Sequence, residues 1–122
     1  MAVQLDIAET HRGDVTLLRL TGRLVADDED RLFAEAVNRL LTAGRTRIVA
    51  DMREVTTLDS GGVGTLVAKL LSVRRRGGDL RLLHLGDRTR RVLEITRLLE
   101  VFAVFDSEEE ALRSFGREVA RT

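Results

Sequence analysis

Apolar and polar positions change period several times along this chain, and each change marks an element. Val3, Leu5 and Ile7 alternate with Gln4 and Asp6, the period of a half-buried strand. The segment "HRGD", residues 11–14, turns the chain, and Val15–Leu20 reads as a second strand ended by Thr21 and Gly22. A hairpin is the shortest connection between the two. After the acidic run "ADDED", residues 26–30, Leu32, Phe33, Ala36, Val37, Leu40 and Leu41 recur at helical spacing. Acids stand in the first turn of that helix and Gly44 lies past its end. "RIVADM", residues 47–52, is a strand whose unbroken Ile48, Val49 and Ala50 suit burial on both faces.

Val63, Leu66, Val67, Leu70 and Leu71 form the next helical face, behind "TTLDSGG" and ahead of Arg74, Arg75, Arg76 and Gly77. "DLRLLHL", residues 79–85, reads as a strand, and "DRTRRVLEITRLLE", residues 87–100, as a helix capped by Asp87. "VFAVF", residues 101–105, is a short last strand in which Phe102 and Phe105 are expected to be core. "SEEEALRSFGREVA", residues 107–120, is a last helix, with Ser107 and Glu110 at capping-box spacing. The order predicts an α/β fold in a single domain over residues 1–122. Its mixed, mostly parallel sheet has about five strands, opens with a hairpin and is covered by about four helices.

Composition narrows the chemistry. At 122 residues the chain can bury a real core as one domain. Twenty basic and twenty acidic residues give a net charge of zero, so nothing demands a nucleic acid or an anionic membrane as partner. The absence of cysteine removes disulfides, thiol catalysis and thiolate metal sites. With only His11 and His84 there is no basis for a multi-histidine metal site, and no cofactor is expected. No apolar run approaches the ~20 residues of a membrane helix, so direct membrane insertion is not expected. The N-terminal sequence lacks the pattern of a signal peptide, and a cytoplasmic location is expected. Arg74–Arg76 read as a solvated helix end that complements the dipole.

The informative stretch is "LDSGGVG", residues 58–64, where Ser60 stands between Asp59 and two glycines at the start of a helix. One reading makes Ser60 a nucleophile, because "DSGG" also surrounds the serine of trypsin-like proteases. The flanking Leu58 and Val63 do not fit, and Leu58 two positions before Ser60 breaks the G-x-S-x-G elbow of hydrolases. A triad also needs a histidine base, and His84 falls on a predicted strand. A second reading is structural: Asp59 or Ser60 caps the helix, and the glycines permit a sharp strand-to-helix turn. Capping alone does not account for Gly61, Gly62 and Gly64 together, since interior helical glycines cost up to ~1 kcal/mol each. A helix start so poor in side chains suits close approach by another surface. Phosphate binding there would lack the P-loop lysine and spacing.

A third reading comes from the whole chain. "LRLTGRL", "IVADMREVTTLDSGGVGTLVAKL" and "RRGGDLRLLHLGDRTRRVLEITRLLEVFAVFDSEEEAL" in this order resemble a bacterial STAS domain. The resemblance is to the stand-alone anti-sigma-factor antagonists and covers nearly the whole chain. It implies that Ser60 is phosphorylated by an anti-sigma factor with a histidine-kinase-like ATPase domain. The unphosphorylated form would bind that factor and free a sigma factor, regulating transcription, and a separate phosphatase would reset the switch. It further implies a partner-binding rim of Arg23, Val25, Asp59, Gly61, Gly62 and Val63, no catalytic activity of its own, and a monomer or weak dimer. The β2–α1 turn and the turn into the Ser60 helix must then share one end of the sheet. Three positions depart from the family pattern. Gly61 replaces a usual Ser, Thr or Ala, Val25 an often-found aspartate, and Arg97 a glycine commonly placed before Leu98. The alternative role is a non-phosphorylated STAS scaffold in a stress-sensing assembly or beside a membrane lipid transporter.

Overall fold

A computed structural model describes residues 5–26 and 28–119. Val3, Gln4, Asp27 and Ala120, to which the pattern assigned roles in elements, lie outside the described residues. The elements are β1 (Leu5–Arg12), β2 (Val15–Leu24), α1 (Asp28–Thr42), β3 (Arg47–Leu58), α2 (Ser60–Arg75), β4 (Asp79–Leu83), α3 (Asp87–Ile95), a 3₁₀ turn (Leu99–Val101), β5 (Val104–Phe105) and α4 (Glu108–Val119). The five strands form one sheet in chain order. β1 is antiparallel to β2, and the other three pairings are parallel. This is the α/β architecture that the alternating periods predict, with the hairpin first and four helices.

The sheet is buried from both sides. On one face α1, α2 and α3 bring Phe33, Val37, Leu66, Leu70 and Leu93 against Leu18, Leu20, Ile48, Ala50, Leu80 and Leu82. On the other, Ala111 and Phe115 of α4 close over Val15, Leu17, Val49 and Leu83. Ile48, Val49 and Ala50 are fully buried, as their unbroken apolar run requires. Arg81 crosses this second layer. Its guanidinium donates to Asp79 Oδ2 at 2.9 Å and Ser114 Oγ at 2.6 Å, and lies 4.0 Å from the Phe115 ring centre. A buried guanidinium is tolerable only with such partners; Asp79 holds it in place along β4, and Ser114 and Phe115 tie α4 to that strand.

Several boundaries differ from the pattern. The hairpin turn is only Gly13 and Asp14, with Gly13 at φ 62°, so His11 and Arg12 belong to β1. β2 continues past Thr21 and Gly22 to Leu24. Two register shifts accommodate Gly22, whose φ of 115° is open to glycine. β3 runs six residues beyond Met52, because β2 keeps pairing with it and its Val55 and Leu58 find cover in the core with Leu93. β4 stops at Leu83, where His84 turns into the left-handed region at φ 57°. Asp87 is the first helical residue of α3, not its cap; the cap is Gly86. At α4 the cap is as expected, with the Glu110 amide donating to Ser107 Oγ at 3.3 Å.

Three helices end in the same motif. Gly44, Gly77 and Arg97 follow α1, α2 and α3 with φ of 81°, 84° and 61°. In each case the next amide reaches back to a carbonyl five residues earlier: Arg45 to Leu40, Gly78 to Val73, Leu98 to Leu93. The positive-φ residue itself bonds three back, to Leu41, Arg74 and Glu94. This is the Schellman arrangement, whose left-handed residue is best a glycine. Arg97 therefore ends α3 at Ile95 while holding a strained backbone. Arg97→Gly is expected to raise stability by about 1 kcal/mol, read as a higher denaturant midpoint at unchanged slope; an equal or lower midpoint would show that the arginine makes compensating contacts.

A second expectation concerns Glu9. Its carboxylate accepts from His11 at 2.6 Å and Arg39 at 2.8 Å, and these two bonds, His11's first, hold its pKa below the ordinary 4.5. A depressed carboxyl contributes stability above its unfolded pKa and loses it as pH falls through the folded value. The advantage of wild type over Glu9→Gln is thus expected to shrink as pH is lowered from about 5 toward 3. Paired melts across that range test this, and a constant difference would contradict it.

Candidate functional site

β2 and β3 finish together, with Leu24 opposite Leu58 in the last rung of their ladder. The chain leaves β2 through Val25 and Ala26 and leaves β3 through Asp59 and Ser60, so the two turns lie side by side at one end of the sheet. The resemblance required this adjacency.

Asp59 holds both turns. It is the N-cap of α2, with extended backbone, and its Oδ1 accepts from the Gly62 amide at 2.8 Å. The same carboxylate accepts from the Ala26 amide, at 3.0 Å to Oδ1 and 3.2 Å to Oδ2. Its carbonyl takes the first helical bond, from Val63 at 2.9 Å. Thr65, one turn on, donates to Asp30 of α1 at 2.9 Å and to Gly61 O at 3.2 Å. Ser60 is consequently the first helical residue and not the cap, and it is exposed.

The glycines divide by role. A Cβ on Gly61 would overlap the Ala26 side chain, and one on Gly62 would overlap the Leu24 carbonyl oxygen. The surface approaching these two residues is the protein's own β2–α1 turn. Gly64 has open space where a Cβ would stand, and it is exposed one turn beyond Ser60. The expected rim divides in the same way. Arg23 is exposed, and Asp59 and Gly61 are half-buried. Val25 (6% exposed) and Val63 (1%) are core, and Gly62 is buried beneath the turn. The side chains of Val25 and Val63 support the rim from below.

Both histidines are engaged elsewhere. His11 bonds Glu9 on β1. His84 lies 3.0 Å from an Arg53 nitrogen and faces a cleft of about 200 Å³ lined also by Arg19, Asp51, Glu54 and Glu108. Asp51 is buried there, bonded by Arg19 Nε at 3.2 Å and the Arg53 amide at 3.1 Å. Ser60 has neither histidine as a base. No group of acidic or histidine side chains among the described residues could hold a metal ion.

The model of the family described as the STAS domain matches residues 6–111. The chain belongs to the STAS domain family. Among named relatives, the anti-sigma-B factor antagonist of Listeria monocytogenes is 38% identical over 114 residues, covering 90% of this chain and 95% of its own. The anti-sigma F factor antagonist of Paenibacillus polymyxa is 24% identical over 112 residues, covering 92% and 94%. A crystal structure of a Thermotoga maritima protein matches with a TM-score of 0.82 at 26% identity, covering 88% of this chain and 92% of that one. Arg97, where the resemblance leads to the expectation of a glycine, sits at a left-handed helix end of this STAS fold.

The motif is visible in the sequence, but the hydrogen bonds that join its two turns are not. The bond from Ala26 to Asp59 spans 33 residues, and no local signal announces it. Between Asp59 and Ser60 the cap was ambiguous, since both residue types cap helices well. The glycines give a direct test. Asp59→Ala is expected to cost about 2 kcal/mol or more, from a lost cap and the lost charge-assisted bond to the Ala26 amide. Gly62→Ala is expected to cost ~1–3 kcal/mol through overlap with backbone. Gly64→Ala is expected to gain up to ~1 kcal/mol. Urea melts of the three order them; a Gly62→Ala protein as stable as wild type would mean that the β2–α1 turn moves freely.

Proposed function

We propose that this STAS protein is an anti-sigma-factor antagonist whose partner binding is switched by phosphorylation of Ser60. The names of its relatives support the general role. The observation carrying the finer reading is that Ser60 is exposed at the first position of α2, on a turn pinned by Asp59 to the neighbouring turn. The unphosphorylated protein binds an anti-sigma factor that carries a histidine-kinase-like ATPase domain. The contact surface is Ser60, Arg23, Asp59, Gly61 and the open face at Gly64. That factor phosphorylates Ser60 and leaves, and a phosphatase restores the bound form. The role is one of binding, without catalysis by this chain, in the cytoplasm. No helix among the described residues is long and apolar enough to cross a membrane.

The physics favours a change at the interface over unfolding. Phosphoserine carries about −1.5 to −2 charge at pH 7. At the first turn of a helix that charge is favoured by ~0.3–1 kcal/mol. Asp59 already caps α2, so the fold does not depend on the Ser60 hydroxyl. Buried under a partner without a matching cation, the same charge costs several kcal/mol, and each ~1.4 kcal/mol is tenfold in affinity.

Ser60→Ala is expected to melt within about 0.5 kcal/mol of wild type, to bind the anti-sigma factor, and to accept no phosphate. Ser60→Asp is expected to stay folded and bind at least tenfold more weakly, ~1.4 kcal/mol or more. Binding isotherms and kinase assays with the ATPase-type partner provide the check. Undiminished binding by Ser60→Asp would refute the electrostatic switch. Failure of every such kinase to modify Ser60 would favour a scaffold role in a stress-sensing assembly or lipid transporter.

A further inference from the structure

The sheet has two edges of unequal length. β5 contributes two residues, whereas β1 contributes eight. β1, "LDIAETHR", contains none of the proline or lysine residues that commonly blunt an edge. Arg12 and Val15 flank the two-residue turn and form the closing pair of the hairpin. Alternation from that pair directs the backbone groups of Arg12, Thr10, Ala8 and Asp6 toward β2. Those of His11, Glu9, Ile7 and Leu5 face outward, unpaired within the sheet. Alongside them runs an open groove of about 350 Å³ between β1 and α1, floored by Leu5, Ile7, Leu32 and Ala36 and rimmed by Glu35 and Arg39. Leu32 is 42% exposed although it begins the apolar stripe of α1.

We propose that β1 is a contact surface for a second copy of this chain, pairing antiparallel with its own counterpart about a two-fold axis at Ala8. A two-fold contact must be self-complementary, and the edge meets that condition. With the axis at Ala8, Ile7 lies opposite Glu9 of the second copy, Leu5 opposite its His11, and Asp6 opposite its Thr10. No like charges oppose each other directly; Asp6 lies diagonal to Arg12 of the second copy, a distance long side chains span, and Glu9, diagonal to its own counterpart, already has its charge matched by Arg39 and a bond from His11. An axis at Glu9 would set two carboxylates face to face. The smallest side chain sits on the axis, where a pair without mutual hydrogen bonds brings its Cα atoms to about 4.5 Å. The two grooves with their exposed Leu32 side chains flank the new pairing, and Glu35 and Arg39 give each rim both signs of charge. This surface is separate from the Ser60 turn, so it stands or falls independently of the proposed switch.

The absence of cysteine permits a clean test. Ala8→Cys is expected to form a disulfide-linked dimer on mild oxidation, since 4.5 Å lies within the ~4.4–6.8 Å range such a bond needs. Ala68→Cys, exposed on α2, is the control and is expected to stay monomeric. In parallel, light scattering on wild type is expected to show mass rising from one chain toward two with concentration. His11→Pro removes one outward amide while leaving the β2 pairing intact, and Leu32→Lys places a charge in the groove; each is expected to weaken association by about tenfold. Circular dichroism melts confirm that both variants fold. The proposal is overturned if wild type stays monomeric to about 0.5 mM, at which even weak pairs with Kd near 1 mM associate measurably. It is overturned also if Ala68→Cys links as readily as Ala8→Cys, or if folded His11→Pro and Leu32→Lys dimerise like wild type. Loss of anti-sigma-factor binding in His11→Pro, with self-association unchanged, would assign the edge to that factor instead.

Discussion

A single carboxylate holds together the end of the sheet that carries the candidate site. Asp59 accepts from the Gly62 amide in the first turn of α2 and from the Ala26 amide of the preceding crossover, which lies 33 residues before Asp59 in the chain. Ala26 stands in the turn after β2 and Gly62 in the first turn of α2, where no sheet or helix ladder supplies an acceptor, and the buried Gly62 amide would be costly to leave without one. A serine hydroxyl at this position would offer one oxygen on a shorter arm. The carboxylate offers two oxygens, and both reach Ala26. Because the last rung of the β2–β3 ladder lies directly beneath, the two turns inherit the rigidity of the sheet.

That arrangement separates tasks among neighbouring residues. Gly61 and Gly62 let the turns approach, Val25 and Val63 anchor them to the core, and Asp59 supplies the hydrogen bonds. None of this work falls to Ser60, whose side chain is therefore available for modification at little cost to the fold. A switch residue that was also the helix cap would alter stability whenever it was modified. In this structure the cap and the candidate acceptor are adjacent but distinct, which confines the effect of a new charge to whatever touches the surface.

Much of the fold was legible because the apolar residues keep time. Phe33, Val37 and Leu40 mark α1, Leu66, Leu70 and Val73 mark α2, and the buried Ile48–Ala50 run marks the sheet centre. The misplaced boundaries have local causes. Arg53, Glu54, Thr56 and Thr57 interrupt the apolar pattern of β3, yet pairing with β2 carries the strand on to Leu58. Gly22 looked like a terminator and is instead a residue of irregular strand. α3 seemed five residues longer than it is, because its stop is an arginine in a glycine's conformation. At the site, the motif itself was visible in one dimension. What approaches its glycines was not, since that depends on a crossover returning to the same sheet end.

The order of the strands in the sheet is the order of the strands in the chain. Every new strand lies beside the one made just before it, and no later segment has to be inserted between two earlier ones. Loop closure is then confined to the length of one crossover at each step, which keeps the entropy barrier of assembly low for a parallel sheet. On a ribosome the hairpin can form first and act as a template to which β3, β4 and β5 are added as they emerge. α4, the last of the described elements, is then the lid that seals the second face of the sheet. Until it is synthesised, Val15, Leu17, Val49 and Leu83 are left uncovered, so the nascent chain is stickiest in the interval before this helix docks.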